Sequence, residues 1–268
     1  MTTLETSSAP ALTNVRTPSR AIPAHRVLTT ELRKMFDTRS GFWLMASIGI
    51  AALLATTAVI LFAPNDQLTY GTFVAAFGIP MAVILPIVAT LSVTSEWSQR
   101  SGLTTFTLVP HRGRVILAKA VVSVVVGIVS VLLALVVGVV GNLVGSAIAG
   151  VDTVWDMSVT DVLLIVLGNV LGLLVGFMLG VLIRSSAGAI VAYFVYSFVL
   201  PTLSALLAAS QHWFRDLQPW VDFNYAQSAL FNGALTSEQW GQLAVTSVGW
   251  LVLPTALGVW LVMRAEVK

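Results

Sequence analysis

Six long apolar stretches constrain this chain more than any other feature of its sequence. They cover residues 42–62, 73–94, 115–141, 162–183, 187–208 and 243–263. A helix needs about 20 apolar residues to cross a bilayer, and a charge at mid-membrane costs about 2.5–3.5 kcal/mol. Apart from Lys119, just inside the third stretch, none of them contains Asp, Glu, Lys, Arg or His. The sequence therefore predicts an all-α integral membrane protein with six transmembrane helices.

The third stretch is longer than one span requires. Between Lys119 and Asp152 no charged residue occurs, yet this segment is too short for two spans and a turn. Glycines punctuate its end at Gly138, Gly141 and Gly145. We expect one long helix with an irregular extension at its far end.

The basic residues are distributed very unevenly among the segments that join the stretches. Of the 14 Lys and Arg residues, all except Arg215 fall on one side of the six-span arrangement. Cytoplasmic loops carry the excess of Lys and Arg, so both termini are predicted to be cytoplasmic. The isoelectric point of about 9.2 follows from this topology, and no nucleic-acid partner is expected.

The segment before the first span divides into two parts. Residues 1–24 are rich in Ser, Thr, Pro and Ala and are predicted to form a disordered cytoplasmic tail. Residues 25–41 are predicted to form an amphipathic interfacial helix, because Leu28, Leu32 and Met35 share one helical stripe. The alternative is a plain cytosolic start of the first span. Residues 42–268 then form the six-span domain.

Small residues and prolines modify the predicted spans. The fourth span repeats glycine at every fourth position, which lets helix backbones approach closely, and we favour packing within one subunit over packing between two. These glycines are Gly168, Gly172, Gly176 and Gly180. Prolines interrupt other spans and are expected to kink them. They are Pro80, Pro86, Pro201 and Pro254.

The external segment 209–241 is too polar to span a membrane and unusually aromatic. Its aromatic residues are Trp213, Trp220, Phe223, Tyr225, Phe231 and Trp240. A re-entrant or interfacial hairpin and an ordinary loop with interfacial tryptophans are both compatible with this pattern.

Motifs for catalysis are missing from the sequence. With only 10% charged residues and no cysteine, the chain is not an ordinary soluble enzyme, since soluble domains average about 25% charged residues. No phosphate-binding GxxxxGK[ST] loop, HExxH metal motif or GxSxG nucleophile motif occurs. We therefore expect a non-catalytic chain without its own cofactor or metal. Its spans also lack the carboxylate or histidine that ion-driven pumps use, so energy for any uphill transport would come from a partner.

The cytoplasmic loop 95–114 carries the most informative polar pattern. Apolar residues such as Trp97 and Phe106 and polar residues such as Arg100 fit a short interfacial helix that ends at Pro110. The loop resembles that of permease subunits of bacterial ATP-binding-cassette exporters of the second permease type (ABC-2, half-size form). The residues that match are Glu96, Gly102, Thr104, Pro110, Arg112, Arg114 and Lys119. One departure is the insertion of Leu103 into the Gly-Thr pair usual in that family.

This resemblance implies a mechanism and its partners. Two permeases pair in the bacterial plasma membrane, as a homodimer or with a related permease, and two ATPase subunits bind ATP and Mg²⁺. Loop 95–114 would be the coupling loop that docks on the ATPase. By the same analogy the pathway runs between the second and fifth spans, with Phe77, Met81, Tyr193, Tyr196 and Ser197 as candidate lining residues. Because charges are absent there, the expected exported substrate is hydrophobic or amphipathic: a drug, lipid or lipopeptide.

Other functional classes stay open from the sequence alone. An ion-coupled secondary transporter or channel would use the same six spans without an ATPase. A non-transporting immunity or sensor component would share the topology. A membrane enzyme is the weakest alternative, because it needs a polar catalytic cluster that the sequence does not show.

Overall fold

A computed structural model describes residues 23–37, 39–98 and 112–264 of the chain. Within these ranges all regular structure is helical, and there is no β-strand. The helices are α1 (Ala24–Asp37), α2 (Arg39–Phe62), α3 (Tyr70–Ala76), α4 (Gly78–Ser98), α5 (Arg112–Ala149), α6 (Val159–Ile183), α7 (Ser186–Ser210), α8 (His212–Val221), α9 (Phe223–Ser228) and α10 (Ser237–Arg264). Two 3₁₀ turns cover Asn65–Gln67 and Ala229–Phe231.

Six of these helices are long and apolar enough to cross a membrane, namely α2, α4, α5, α6, α7 and α10. The predicted fold class, an all-α protein with six transmembrane helices, is therefore confirmed. Which side of the membrane holds the termini stays a prediction. Of the predicted tail, residues 1–22 lie outside the described part of the chain.

The third span differs from its prediction. Helix α5 runs unbroken to Ala149 and ends at Gly150, whose φ is +67°, so the expectation of an irregular extension is wrong. The glycines serve packing instead of breaking the helix. A Cβ on Gly141 would lie 2.9 Å from the Phe73 ring, and one on Gly145 would lie 3.0 Å from the same ring.

The second span also begins differently. The predicted continuous stretch 73–94 is divided into α3 and α4, which meet at Phe77. Pro80 has no N–H to donate to the carbonyl of Ala76, four residues earlier, and this missing bond lies at the end of α3. The break turns the short helix α3 against α5.

Helix α6 is the centre of the bundle and packs most extensively against α4. At the seam a Cβ on Gly176 would lie only 2.3 Å from the carbonyl oxygen of Pro86, so no larger residue fits there. The hydroxyl of Thr90, which is fully buried, donates to the Gly176 carbonyl at 2.8 Å. Close backbone approach and an interhelical hydrogen bond thus hold α4 on α6.

The other glycines of α6 also face elements of the same chain. Gly180 faces Thr90 of α4, Gly168 faces the Phe231 ring, and Gly172 faces the amide of Gln227. Gln227 donates to the Gly168 carbonyl at 2.7 Å. This face of α6 therefore packs inside one subunit.

Segment 209–241 is folded into helices. Helix α8 packs on α7 and α10, and α9 packs on α10. Phe223 is fully buried, whereas Trp213 is 62% exposed. The indole N–H of Trp250 in α10 donates to the Val221 carbonyl at the end of α8, at 2.7 Å. The segment is thus a helical cap with an exposed aromatic side, and whether it enters the membrane stays open.

The bundle has two ends. The α1 end carries α1, the end of α4, the beginning of α5 and the ends of α6 and α10. The far end carries the segment between α5 and α6 together with α8 and α9.

Candidate functional site

A buried ion pair joins α1 to α5 at the α1 end. Glu31 and Lys119 are only 4% and 5% exposed. The Lys119 Nζ lies 2.5 Å from Glu31 Oε2, and the Lys34 Nζ donates to Glu31 Oε1 at 2.8 Å. Both oxygens of the carboxylate are therefore paired with ammonium groups.

The same lysine reaches a third helix. The Lys119 ammonium donates to the carbonyl of Ser92 in α4 at 3.0 Å. The hydroxyl of Ser92 lies 3.1 Å from that of Ser123 in α5. We call Glu31, Lys119 and Ser92 the ion-pair node. The node therefore bridges α1, α4 and α5, and removing one member of the ion pair would leave a buried charge unpaired, at a cost of about 3–5 kcal/mol.

Glu31 was missed by the sequence reasoning, although a signal exists. It lies three residues after Leu28 and four before Met35, so it borders the apolar stripe of α1. In the structure Glu31 faces the bundle, while Leu32 and Phe36 are 40% and 45% exposed. Leu28 and Met35 are half-buried on the Glu31 side of the helix, so one edge of the stripe, Leu32 and Phe36, is exposed, and a carboxylate forms part of the inner contact.

The predicted coupling loop is described only at its two ends. Arg100, Gly102, Thr104, Phe106 and Pro110 lie outside the described residues. The flanking residues lie at the end of α4 and the start of α5, beside the ion-pair node.

Five of the predicted coupling residues have a described position, and one of them, Lys119, belongs to the ion-pair node. Glu96 and Arg112 are described in their backbones alone. Trp97 is half-buried and packs against the core cluster that includes residues of α4 and α5, and Arg114 is exposed. Both ends of the loop are therefore anchored in helices that the node connects.

The candidate lining residues divide between two places. Phe77 and Met81 are buried and line a half-open cavity. Tyr193 and Tyr196 of α7 are also buried, in a second core cluster formed with α6, α9 and α10. Ser197 is half-buried. Tyr193, Tyr196 and Ser197 are not among the described residues that line this cavity, and a lining role for the five residues stays a prediction.

Tyr193 has a backbone role that explains its burial. Pro86 has no N–H, so the carbonyl of Ala82, four residues earlier in α4, loses its helical partner. The hydroxyl of Tyr193 donates to that carbonyl. Neighbouring helices commonly supply such replacement bonds in membrane proteins, and here the bond ties α7 to the proline of α4.

Matched π-helical turns occur in α7 and α10. They cover Val195–Val199 and Val248–Val252, and each is followed by the sequence Leu-Pro-Thr. The rings of Tyr196 and Trp250, one from each turn, lie 6.0 Å apart. Wide turns of this kind often mark functional sites and bends. The sequence predicted kinks at the prolines but not this pairing of two irregular turns.

The segment before α6 closes the far end through backbone hydrogen bonds. The Val154 carbonyl accepts from the Tyr70 N–H at 3.1 Å and from the Asn142 amide at 2.9 Å. The Asp156 Oδ1 accepts from the Gly71 N–H at 2.7 Å. Burial raises the pKa of the Tyr70 hydroxyl. This segment is therefore held firmly over α3.

Within residues 23–37, 39–98 and 112–264, no group of His, Asp and Glu side chains has the arrangement of a metal site.

No family model and no curated protein matches this chain. The function must therefore be argued from the geometry and from the sequence pattern.

Proposed function

We propose that this chain is the membrane-embedded, non-catalytic permease subunit of an ATP-driven exporter of the ABC-2 type. It pairs with a second permease and with two ATPase subunits that bind ATP and Mg²⁺ in the bacterial plasma membrane. The observation that carries the proposal is the ion-pair node beside loop 95–114.

The node supports coupling because of where the loop is attached. The loop joins the end of α4 to the start of α5, and Lys119 bonds both to Ser92 of α4 and to Glu31 of α1. A displacement of the loop by a docked ATPase would therefore move these three helices together. A protein interior transmits such movement because it is close-packed.

The distribution of charge in the spans supports an external energy source. In the six described spans, Lys119 is the one Asp, Glu, Lys, Arg or His residue away from the helix ends, and its charge is paired with Glu31. Ion-driven transporters place titratable groups in the membrane and let them change charge during the cycle. A lysine neutralised by a buried ion pair is poorly suited to that task.

The exposed apolar edge of α1, formed by Leu32 and Phe36, supports a position of this helix in the membrane interface. Helices that lie in the interface bury an apolar face among the lipids, and Leu32 and Phe36 are available for this contact. The basic residues Arg33 and Lys34 lie beside the stripe. This arrangement agrees with a cytoplasmic α1 end.

The π-helical turns supply positions at which the fifth and sixth spans can bend. Each turn precedes a proline, Pro201 or Pro254, and both turns pack against one another through Tyr196 and Trp250. A coupled bend at the two π-helical turns would move the parts of α7 and α10 on the far side of the turns, while the node keeps the α1 end rigid. Such a movement would serve alternating access.

The proposal is tested by co-purification and ATP hydrolysis. The full-length chain is expressed with candidate ABC-type ATPase subunits from the same genome, and the complex is reconstituted in vesicles. Arg100→Glu, in the loop, is expected to lower the recovered ATPase and its hydrolysis rate at least tenfold. Arg215→Glu makes the same charge change at the far end and is expected to leave both values unchanged. Normal assembly and hydrolysis in the Arg100 variant would refute the coupling assignment.

A further inference from the structure

A cavity of about 500 Å³ lies towards the far end, between α3, α4, α5, α6 and the turn Ala229–Phe231. Small-molecule sites have volumes of about 300–1,000 Å³ and combine an apolar wall with a few polar groups. The inference from this cavity concerns binding alone, and it does not depend on the proposed ATPase partner.

One part of the cavity wall is apolar. It is formed by side chains from α4, α5 and α6, among them Phe77, Met81, Val131 and Ile165. Phe77, Met81 and Val131 are each 3% exposed. These side chains would surround the apolar part of a ligand.

The polar part of the wall is negatively charged. Asp156 and Asp161 line the cavity, and no Lys, Arg or His is among its described lining residues. Asn169, in α6, adds an amide whose nitrogen donates to the Ile165 carbonyl at 2.8 Å. The only charges that a bound molecule would meet in this wall are therefore two carboxylates.

Both carboxylates accept hydrogen bonds from neighbouring residues through one oxygen, which leaves the other oxygen for a ligand. Asp156 Oδ1 accepts from the Gly71 N–H at 2.7 Å. Asp161 Oδ2 accepts from the N–H and hydroxyl of Ser158 at 2.8 and 2.7 Å. The second oxygen of each carboxylate makes no bond to a described residue, and a carboxylate has capacity for about four hydrogen bonds.

We propose that this cavity binds a cationic amphiphile, with its positive group at Asp156 and Asp161 and its apolar body against Phe77 and Met81. The two negative charges favour a cation and oppose an anionic lipid or detergent. The apolar wall excludes a bare metal ion, which would need further oxygen ligands.

Binding is tested with the full-length protein in nanodiscs of phosphatidylcholine, without any ATPase. The probe is rhodamine 6G, a cationic aromatic dye, followed by fluorescence anisotropy against empty nanodiscs. Fluorescein, an anionic dye of similar size, serves as the comparison ligand. We expect saturable binding of rhodamine 6G and none of fluorescein at the same concentrations.

The variants separate charge from fold. Asp156→Asn with Asp161→Asn keeps hydrogen-bond acceptors for the backbone and removes both charges, and at least tenfold weaker binding is expected. Asp152→Asn removes a far-end carboxylate that does not line the cavity and is expected to change affinity less than twofold. Ala134→Leu fills the apolar part and is expected to weaken binding of the dye as well.

Two results would overturn the site. One is rhodamine 6G binding to the wild type no better than to empty nanodiscs. The other is equal affinity in the wild type and in the double Asn variant, with size-exclusion profiles showing that both are folded. Either result would leave the coupling proposal intact, because that proposal is measured by ATP hydrolysis at the opposite end.

Discussion

The ion-pair node provides the sharpest stability prediction. Glu31→Met leaves the Lys119 ammonium, 6% exposed in its side chain, with the Ser92 carbonyl and without its carboxylate. Loss of one partner from a buried pair costs about 3–5 kcal/mol. Lys119→Met leaves Glu31 still paired with Lys34, so the expected loss is near the lower limit, about 3 kcal/mol.

The double variant decides whether the pair itself is responsible. Replacing both members of a buried pair by apolar residues of similar volume is often neutral or stabilising. Glu31→Met with Lys119→Met is therefore expected to recover most of the stability that either single variant loses. Lys34→Met, at a 43% exposed side chain, is the control and is expected to cost less than about 1 kcal/mol.

The free energy of unfolding is measured for the full chain in mixed micelles by circular dichroism during a denaturant titration. Hydrogen exchange over residues 24–37 reports separately whether α1 leaves the bundle. Single variants that each lose less than about 1 kcal/mol, or a double variant whose loss equals the sum of the two, would refute the reasoning.

Two further predictions concern the seams of the bundle. Gly176→Ala is expected to lower the free energy of unfolding by at least about 1–3 kcal/mol, because the added Cβ would meet the Pro86 carbonyl oxygen at 2.3 Å. Gly49→Ala is the control: no atom lies within 4 Å of the added Cβ, so thermal stability should be unchanged or higher. Tyr193→Phe is expected to cost about 1–3 kcal/mol by leaving a carbonyl of α4 without a donor. In a Pro86→Ala background that cost should shrink, since the restored N–H can donate to the same carbonyl; equal costs in both backgrounds would show that the hydroxyl has another role.

Much of the fold follows from the sequence because the membrane imposes it. A span must be long, apolar and helical, so the six spans can be recognised without knowledge of their neighbours. The glycine repeat of α6 also predicts close packing of this helix against a neighbouring helix, since small residues at this spacing let backbones approach. The partner of that face, the Pro86 carbonyl, depends on how two distant segments dock and is not encoded in a local pattern.

The candidate site was also hard to predict, because it depends on how distant segments dock. Lys119 was recognised from its place just inside the third span, but its partner Glu31 is 88 residues away in the chain and looks like an ordinary charged residue of an amphipathic helix. The bond from Tyr193 to α4 depends on Pro86 and is visible only after both spans are placed. Contacts between distant segments, not local propensities, decide these features.

ATP-dependent flux tests the central claim most directly. The full-length chain and its ATPase are reconstituted in vesicles loaded with ATP and Mg²⁺, and transport of a panel of neutral, anionic and cationic amphiphilic dyes, rhodamine 6G among them, is followed across the vesicle membrane by fluorescence. The account predicts transport that requires ATP hydrolysis, persists when ion gradients are dissipated and is lost in Arg100→Glu. Transport by the chain alone, driven by an ion gradient and unaffected by the ATPase, would contradict it and identify a secondary transporter.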